Sequence, residues 1–324
     1  MTATAEPAAM RAVTPEGLLV LPAAAPREQW LAARRHGITA TDLVKVLGLS
    51  PHGNALDVWV SKRTEVSDDA PGEAARWGQL LEDEVAKEWA RREGASVRRV
   101  GLLRHRDRPR DLASLDRLVS GAACPLEVKT LSAFTADDWE EGVPDRVLVQ
   151  TQWQMGVAGF RKAHIAALVG GQKLQSFTVW RDDDVIAYLR DEADRLWAHV
   201  ESGAVPDVPV SQLTVGSLNR VYPDRTGAIE LPADARDWIE RYRGAAAAEK
   251  EARAAKDEAK LALLQQLGAA EVGMVDGEPV VTYRAGRPTR TISAADLEQV
   301  AHALADLVAQ HAALKPGTRT FRLA

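Results

Sequence analysis

The residues best suited to chemistry lie between Leu112 and Leu131, in L-A-S-L-D-R-L-V-S-G-A-A-C-P-L-E-V-K-T-L. Asp116 sits on one apolar run, and Glu127 and Lys129 sit two apart on the next. Ser120, Gly121 and Pro125 separate the runs, so the pattern predicts two short strands joined by a tight connection. Side chains alternate faces along a strand, which points Glu127 and Lys129 the same way. Pairing the strands can bring Asp116 beside them. Two carboxylates and an amine on one sheet face are expensive unless they hold something, and a divalent metal and a phosphate are the natural candidates.

Hard divalent cations prefer oxygen, and Mg²⁺ (or Mn²⁺) is usually held by one or two carboxylates with water and substrate phosphate. Asp116 and Glu127 meet that requirement for one or two ions, and the backbone carbonyl of Val128 is a further oxygen. Metal-bound water is a better nucleophile, and a second ion stabilises a departing oxygen. Lys129 would orient the attacking water or meet charge on the phosphate. Glu82, in W-G-Q-L-L-E, supplies a further acid from the preceding helix. Each residue also has a plainer reading. The hairpin resembles any surface strand pair with a Glu–Lys neighbour, Glu82 any solvated helix acid, and Gln150, Gln152 and Gln154 any glutamines facing water.

The elements that must position these groups are legible in the pattern. Helices are predicted over Pro26–Arg35, from Thr39–Asp42 to Gly48, over Ala55–Lys62 and over Glu73–Arg92. The last carries Trp77, Leu80, Leu81, Val85 and Trp89 at helical spacing and stops at Gly94. Strands are predicted over Val97–His105, Leu112–Val119 and Leu126–Leu131. A helix over Val147–Gly159 follows, then strands over Ala163–Val169 and Leu174–Val179, and a helix over Asp182–Glu201 with acids at its positive end. Residues 1–25 are expected to be a mostly disordered lead-in in which Gly17–Leu21 forms a short strand. A change of composition at Pro206–Pro209 divides a core over 26–208 from an extension over 209–324. The extension has a long helix over Ala233–Leu267, strand-like segments at Gly277–Ala285 and Thr289–Ile292, and a helix over Ala294–His311.

Composition narrows the classes. The chain has 324 residues and a formal net charge of −5, so nucleic-acid binding would need a local basic surface. One cysteine, Cys124, rules out an internal disulfide framework and an all-cysteine metal or iron–sulfur site. No apolar run approaches the roughly 20 residues that span a bilayer. The start of the chain lacks the pattern of a secretory signal, so a cytoplasmic protein with no membrane partner is expected.

The order of the motifs resembles that of the lambda-exonuclease-like, or YqaJ-type, viral recombinase nucleases of the PD-(D/E)xK superfamily. The resemblance covers about Arg27–Pro206. It is carried by W-L-A-A-R-R-H-G-I-T-A-T-D (Trp30–Asp42), L-G-L-S-P (Leu47–Pro51), W-G-Q-L-L-E (Trp77–Glu82), A-S-L-D (Ala113–Asp116), L-E-V-K-T (Leu126–Thr130) and V-Q-T-Q-W-Q-M-G-V-A-G (Val149–Gly159). It implies an α/β fold: a PD-(D/E)xK nuclease core with a mixed central sheet flanked by helices, followed by a helical or α+β C-terminal extension. It further implies that Asp116 and Glu127 are metal ligands, Lys129 is the catalytic lysine, Glu82 is the helix acid and Gln150 helps close the site. Arg34, Thr41 and Ser114 match positions of a 5′-phosphate pocket, and an arginine fork with two hydroxyls is sound phosphate chemistry. The chain departs from the family at Leu115, where the superfamily has proline, at Val147, where an aromatic often stands, and at Arg117, where the family usually has glycine.

The activity implied is 5′ to 3′ degradation of one strand of linear double-stranded DNA. The exposed single strand would pass to an annealing protein in phage or prophage recombination, in a bacterial or phage-infected cell. A ring-shaped homo-oligomer, a trimer, is also implied. The alternatives are an endonuclease of the same superfamily and a non-catalytic DNA-binding scaffold. Arg98, Arg99, Arg104, Arg106, Arg108 and Arg110 form either a track for phosphates or a solvated sheet edge. Arg117, Arg104 and Arg106 are candidate DNA contacts. Most of the nine tryptophans sit at helical core spacing and Trp153, beside the glutamines, is the one candidate for stacking on bases; His36 and His105 read as surface or local hydrogen-bonding groups, and Cys124 reads as a packed thiol.

Overall fold

The computed structural model describes residues 11–64, 72–121, 124–224 and 226–284. The first compact unit extends to Arg225. It opens with β1 (Gly17–Pro22), α1 (Arg27–Arg34), α2 (Ala40–Val46), α3 (Ala55–Arg63) and α4 (Glu73–Glu93). Next come β2 (Ser96–Arg98), β3 (Gly101–His105), β4 (Leu112–Leu115), β5 (Arg117–Ser120) and β6 (Cys124–Leu131). The unit continues through α5 (Asp145–Ala158), β7 (Lys162–Val169), β8 (Lys173–Trp180), α6 (Asp183–Ser202) and α7 (Val215–Val221).

The strands form two sheets in this unit. A five-stranded mixed sheet runs β2-β5-β6-β7-β8, with β6 and β7 parallel and the other pairs antiparallel. The parallel pair needs a crossover, and α5 supplies it. Both faces of β6 are covered. Val85, Ala86 and Trp89 of α4 pack with Leu126 and Val128, while α5 also packs against this strand from the site side. The second sheet, β1-β3-β4, is antiparallel. Gly17–Pro22 therefore belongs to the folded unit through its pairing with β3, which corrects the expectation of a disordered lead-in for residues 11–25; residues 1–10 lie outside the described residues.

Two expected strands are each divided between the sheets. Val97–His105 becomes β2 and β3, with a turn at Gly101, whose φ of 109° puts any added Cβ 2.2 Å from the Leu21 carbonyl. Leu112–Val119 becomes β4 and β5, and Asp116 is the residue between them. The polypeptide thus leaves one sheet and enters the other at the first acid of the candidate site.

The break expected at Pro206–Pro209 lies inside the unit. Asn54, 2% exposed, donates through Nδ2 to the Gln212 carbonyl at 2.7 Å and to Ser217 Oγ at 3.1 Å. Arg220 Nε donates to Asp57 at 3.1 Å. These bonds hold α7 on α3, so the boundary falls at Arg225 rather than after residue 208.

The second unit, from Thr226, contains α8 (Ala235–Leu267) and the antiparallel hairpin β9 (Val272–Val275) and β10 (Glu278–Thr282). The hairpin turns at Asp276-Gly277, both with positive φ, a pairing suited to a two-residue turn. The sequence pattern missed β9. The segments expected at Thr289–Ile292 and Ala294–His311 lie outside the described residues. Among the described residues no helix is long and apolar enough to cross a membrane.

Candidate active site

Strand register creates the site. Arg117 pairs with Leu126 in the antiparallel β5–β6 ladder, so Asp116, one step beyond, comes level with Glu127. Asp116 Oδ2 accepts the Val128 amide hydrogen at 2.8 Å. In a strand, a residue's N–H and C=O project to the same edge, so the Val128 carbonyl also lies on the Asp116 side.

Glu127 is 1% exposed, and both of its carboxylate oxygens accept hydrogen bonds. Lys129 Nζ donates to Glu127 Oε1. Gln150 Nε2 donates to the same oxygen at 2.6 Å, and Gln150 Oε1 accepts from Lys129 Nζ at 2.9 Å. Gln154 Nε2 donates to Glu127 Oε2 at 2.7 Å. Gln150 and Gln154 stand four apart and so share a face of α5. Gln152 points elsewhere, donating to the Trp180 carbonyl at 2.7 Å and accepting from the Asp182 amide at 2.9 Å. All three glutamines are therefore engaged rather than solvated. Gln154 is the site residue that sequence reading missed; its spacing from Gln150 was the available signal.

The electrostatics are strained. Burial, and next the charge of Glu127, push the Asp116 carboxyl well above the usual carboxylate range; Glu82 adds to this, while Lys129 and the Val128 amide oppose it. Burial alone would depress the Lys129 ammonium. Glu127 and Asp116 outweigh it and hold Lys129 above the ordinary lysine value, so it is a cation at neutral pH.

Glu82 comes from α4 and is held by Arg117. Arg117 Nη1 donates to Glu82 Oε1 and to the Asp116 carbonyl, and Nη2 donates to Asp83 at 2.9 Å. At 3% exposure Arg117 is enclosed by these acids, which corrects its expectation as a DNA contact. Trp153, 1% exposed, donates its indole N–H to the Leu112 carbonyl at 2.9 Å and is core, so it presents no face for a base. Cys124 is buried, and burial raises its pKa, as a packed thiol requires.

The three residues matched to a phosphate pocket are brought to neighbouring elements. Ile38 donates to the Arg110 carbonyl at 2.7 Å and accepts from the Leu112 amide at 2.8 Å, which carries the start of α2 to the start of β4. Arg34 Nη2 donates to Thr39 Oγ1 at 2.8 Å, one residue before α2. Thr41 is exposed in the first turn of that helix, and none of the hydrogen bonds among the described residues joins it to Arg34. Ser114 Oγ is buried with no hydrogen-bond partner among the described residues, while its carbonyl accepts from Gln154 at 3.1 Å. Beneath them Asp42 accepts from Thr39 N and Thr39 Oγ1 at 2.9 and 2.7 Å, and from Lys62 Nζ at 2.7 Å. Burial raises the Asp42 pKa, but Lys62, Arg34 and Thr39 bring it down to about 2.

The basic run before β4 is partly spent on the fold. Arg108 pairs with Asp111 and Asp194 at 2.9 and 2.7 Å, and Arg110 with Glu201. Arg106 donates to the Pro15 carbonyl, and Arg104 Nε is buried without a partner among the described residues. Arg98 and Arg99 are exposed on or beside β2, an edge strand. His36 is exposed, and His105 Nδ1 accepts from the Asp107 and Arg108 amides.

Among the described residues no group of three or more His, Cys, Asp or Glu side chains forms a metal-holding cluster. The site instead offers two carboxylates and a backbone carbonyl. Glu127 Oε2 has one donor, and Asp116 Oδ1 has none among the described residues. In this mixed α/β core the strand switch sets two acids and a lysine against a helix glutamine.

The YqaJ-like viral recombinase domain matches residues 29–161. The YqaJ protein of Bacillus subtilis (strain 168) is 36% identical over 224 residues, 67% of this chain and 70% of that protein. The chain belongs to the YqaJ-like viral recombinase family. Among solved structures, LHK-Exo in complex with dAMP matches with a TM-score of 0.48 and 23% identity, over 54% of this chain and 93% of that one. An alkaline exonuclease (LHK-Exo) from Laribacter hongkongensis matches with a TM-score of 0.47 and 22% identity over the same shares.

Proposed function

We propose that the protein is a metal-dependent deoxyribonuclease that degrades linear double-stranded DNA from 5′ ends and exposes single strand for recombination. The observation that carries this reading is the convergence of Asp116, Glu127 and Lys129 with Gln150 at the point where β4 passes into β5. Two buried like charges side by side are costly without a counter-ion. Asp116 Oδ1, without a donor among the described residues, and Glu127 Oε2, held by a single donor, with the Val128 carbonyl turned to the same edge, fit a hard divalent cation, Mg²⁺ or Mn²⁺, completed by water and phosphate. Such an ion, when bound, polarises the phosphodiester and lowers the pKa of water.

This chain's own groups do the rest. Lys129, kept protonated, meets charge on the phosphate and orients the water. Gln150 and Gln154 fix the Glu127 carboxylate, so little reorganisation is needed when charge develops. Glu82 stands at the α4 side of the same cluster. Arg34, Thr41 and Ser114, with Thr39 as the residue that aims Arg34, form a receiving site for a terminal 5′-phosphate. Arg104 and Arg106 are the candidate DNA contacts of this reading. A ring-shaped homo-oligomer and a single-strand annealing partner belong to the same reading and rest on the family resemblance.

End-labelled linear and closed circular DNA, incubated with and without chelator, tests the reading. Loss of the linear form alone, from the 5′ end and only with metal, is the expected result. Cleavage of the circle would mean an endonuclease, and intact linear DNA a binding scaffold.

A further inference from the structure

We infer that Arg117 is a positioning residue that sets the cation site by pinning Glu82 of α4 to the main chain of Asp116. The inference rests on the nuclease reading. One guanidinium nitrogen of Arg117 donates both to Glu82 Oε1 and to the Asp116 carbonyl, and the other donates to Asp83 at 2.9 Å. The side chain is 3% exposed, against 30% for Glu82 and 41% for Asp83, so the buried cation holds two acids that would otherwise reach solvent.

The sheet explains why a pin is needed here. Side chains alternate along β5, so Arg117 lies on the same face as Val119, which packs with Val85, Ala86 and Trp89 of α4. Glu127 and Lys129 lie on the opposite face of the sheet, toward Gln150 and Gln154 of α5. Asp116 comes level with Glu127 just before β5 begins. Nothing else among the described hydrogen bonds ties α4 to the Asp116 peptide. A planar fork can hold two carboxylates and a carbonyl at once, whereas an ammonium on a flexible stem cannot hold them in one fixed geometry. Glu82 meets the Asp116 peptide through one shared guanidinium nitrogen. Its placement by Arg117 therefore reaches the acid that faces the cation.

The test is Mn²⁺ binding to the full-length protein, followed by calorimetry without DNA, alongside single-turnover cleavage of linear duplex. Arg117→Lys keeps the charge and removes the fork. It is expected to weaken Mn²⁺ binding and slow cleavage by about tenfold, with KM for DNA little changed. The same substitution made on Glu82→Gln is expected to add little to the loss from Glu82→Gln alone, because both break one linkage. Asp83→Asn, a half-exposed change that touches no other site residue, is expected to weaken Mn²⁺ binding in the same direction. It remains informative should Arg117→Lys fail to fold. Parental Mn²⁺ affinity in Arg117→Lys or in Asp83→Asn, or full additivity with Glu82→Gln, overturns the role of Arg117. Absence of Mn²⁺ binding in the parent protein overturns the nuclease reading itself, and the inference with it.

Discussion

Gln154 donates to Glu127 Oε2 at 2.7 Å and is itself 1% exposed, so a core helix side chain fixes the orientation of the central acid. The same nitrogen reaches the Ser114 carbonyl at 3.1 Å, joining β6 to the strand that leads into Asp116. Replacing Gln154 with Leu keeps the volume and removes both bonds. Cleavage measured under single-turnover conditions is expected to fall by about 10–100-fold, with the far-UV spectrum unchanged. An unaltered rate would remove Gln154 from the site.

Asp116 stands beside Glu127 at a cost to the fold. Asp116→Asn keeps an acceptor for the Val128 amide and removes the like charge. Cleavage should be abolished, while the cation-free protein gains about 1 kcal/mol, read as a higher Tm in the presence of chelator. A lower Tm would show that the two acids do not repel in the folded protein. Glu127→Ala is expected to abolish cleavage as well.

The Arg34–Thr39 bond aims the guanidinium. Arg34→Ala is expected to erase the preference for a 5′-phosphorylated over a 5′-hydroxyl end, and Thr39→Val to reduce it severalfold by releasing Arg34. The measurement is the ratio of initial rates on the two duplexes. An unchanged ratio in Arg34→Ala would place the phosphate elsewhere.

Asp42 gives a pH signature independent of catalysis. Its pKa of about 2 in the folded protein lies below the ordinary 3.8. A depressed carboxyl adds stability that is complete above the unfolded value and is lost as pH falls through the folded one. The stability gap between the parent and Asp42→Asn is therefore expected to be at least about 2 kcal/mol at pH 6 and to shrink between about pH 4 and pH 2. Urea unfolding across that range checks it; a gap that widens on acidification would contradict the Lys62–Asp42 pairing.

The packing of α7 predicts where the chain can be cut. A protein ending at Val208 leaves the buried Asn54 amide without its two acceptors. It should lose about 1–3 kcal/mol relative to one ending at Asp224. Equal denaturation midpoints for the two would show that α7 contributes nothing to the first unit.

The elements around the site were legible because their signals are local. Gly94 stops α4, Pro26 precedes α1, and the apolar runs of β6 and β7 have strand length and turn boundaries. The Glu127-x-Lys129 pair could be assigned to one face from the two-residue period alone. The division of Leu112–Val119 at Asp116 could not be read, because S-L-D-R-L-V continues the alternation without a turn signal. Sheet membership is decided by partners far along the chain. The same holds for Arg117, whose burial depends on acids from α4, and for Trp153, whose indole is sealed by the Leu112 carbonyl. At Pro206–Pro209 a local break in composition misled, because the bonds from Asn54 and Asp57 that hold the following segment are long-range.

By itself the sequence determined the chemical inventory: two acids, a lysine and a helix glutamine in a fixed order, carried on elements of definite type. Short-range sterics and hydrophobic periodicity are written in neighbouring residues, so these features survive without any tertiary knowledge. Only the tertiary structure decided which carboxylates share a site, which arginine is a pin rather than a DNA contact, and which glutamines hold Glu127. Those outcomes depend on strand register and helix packing, where groups distant in sequence compete for the same buried space.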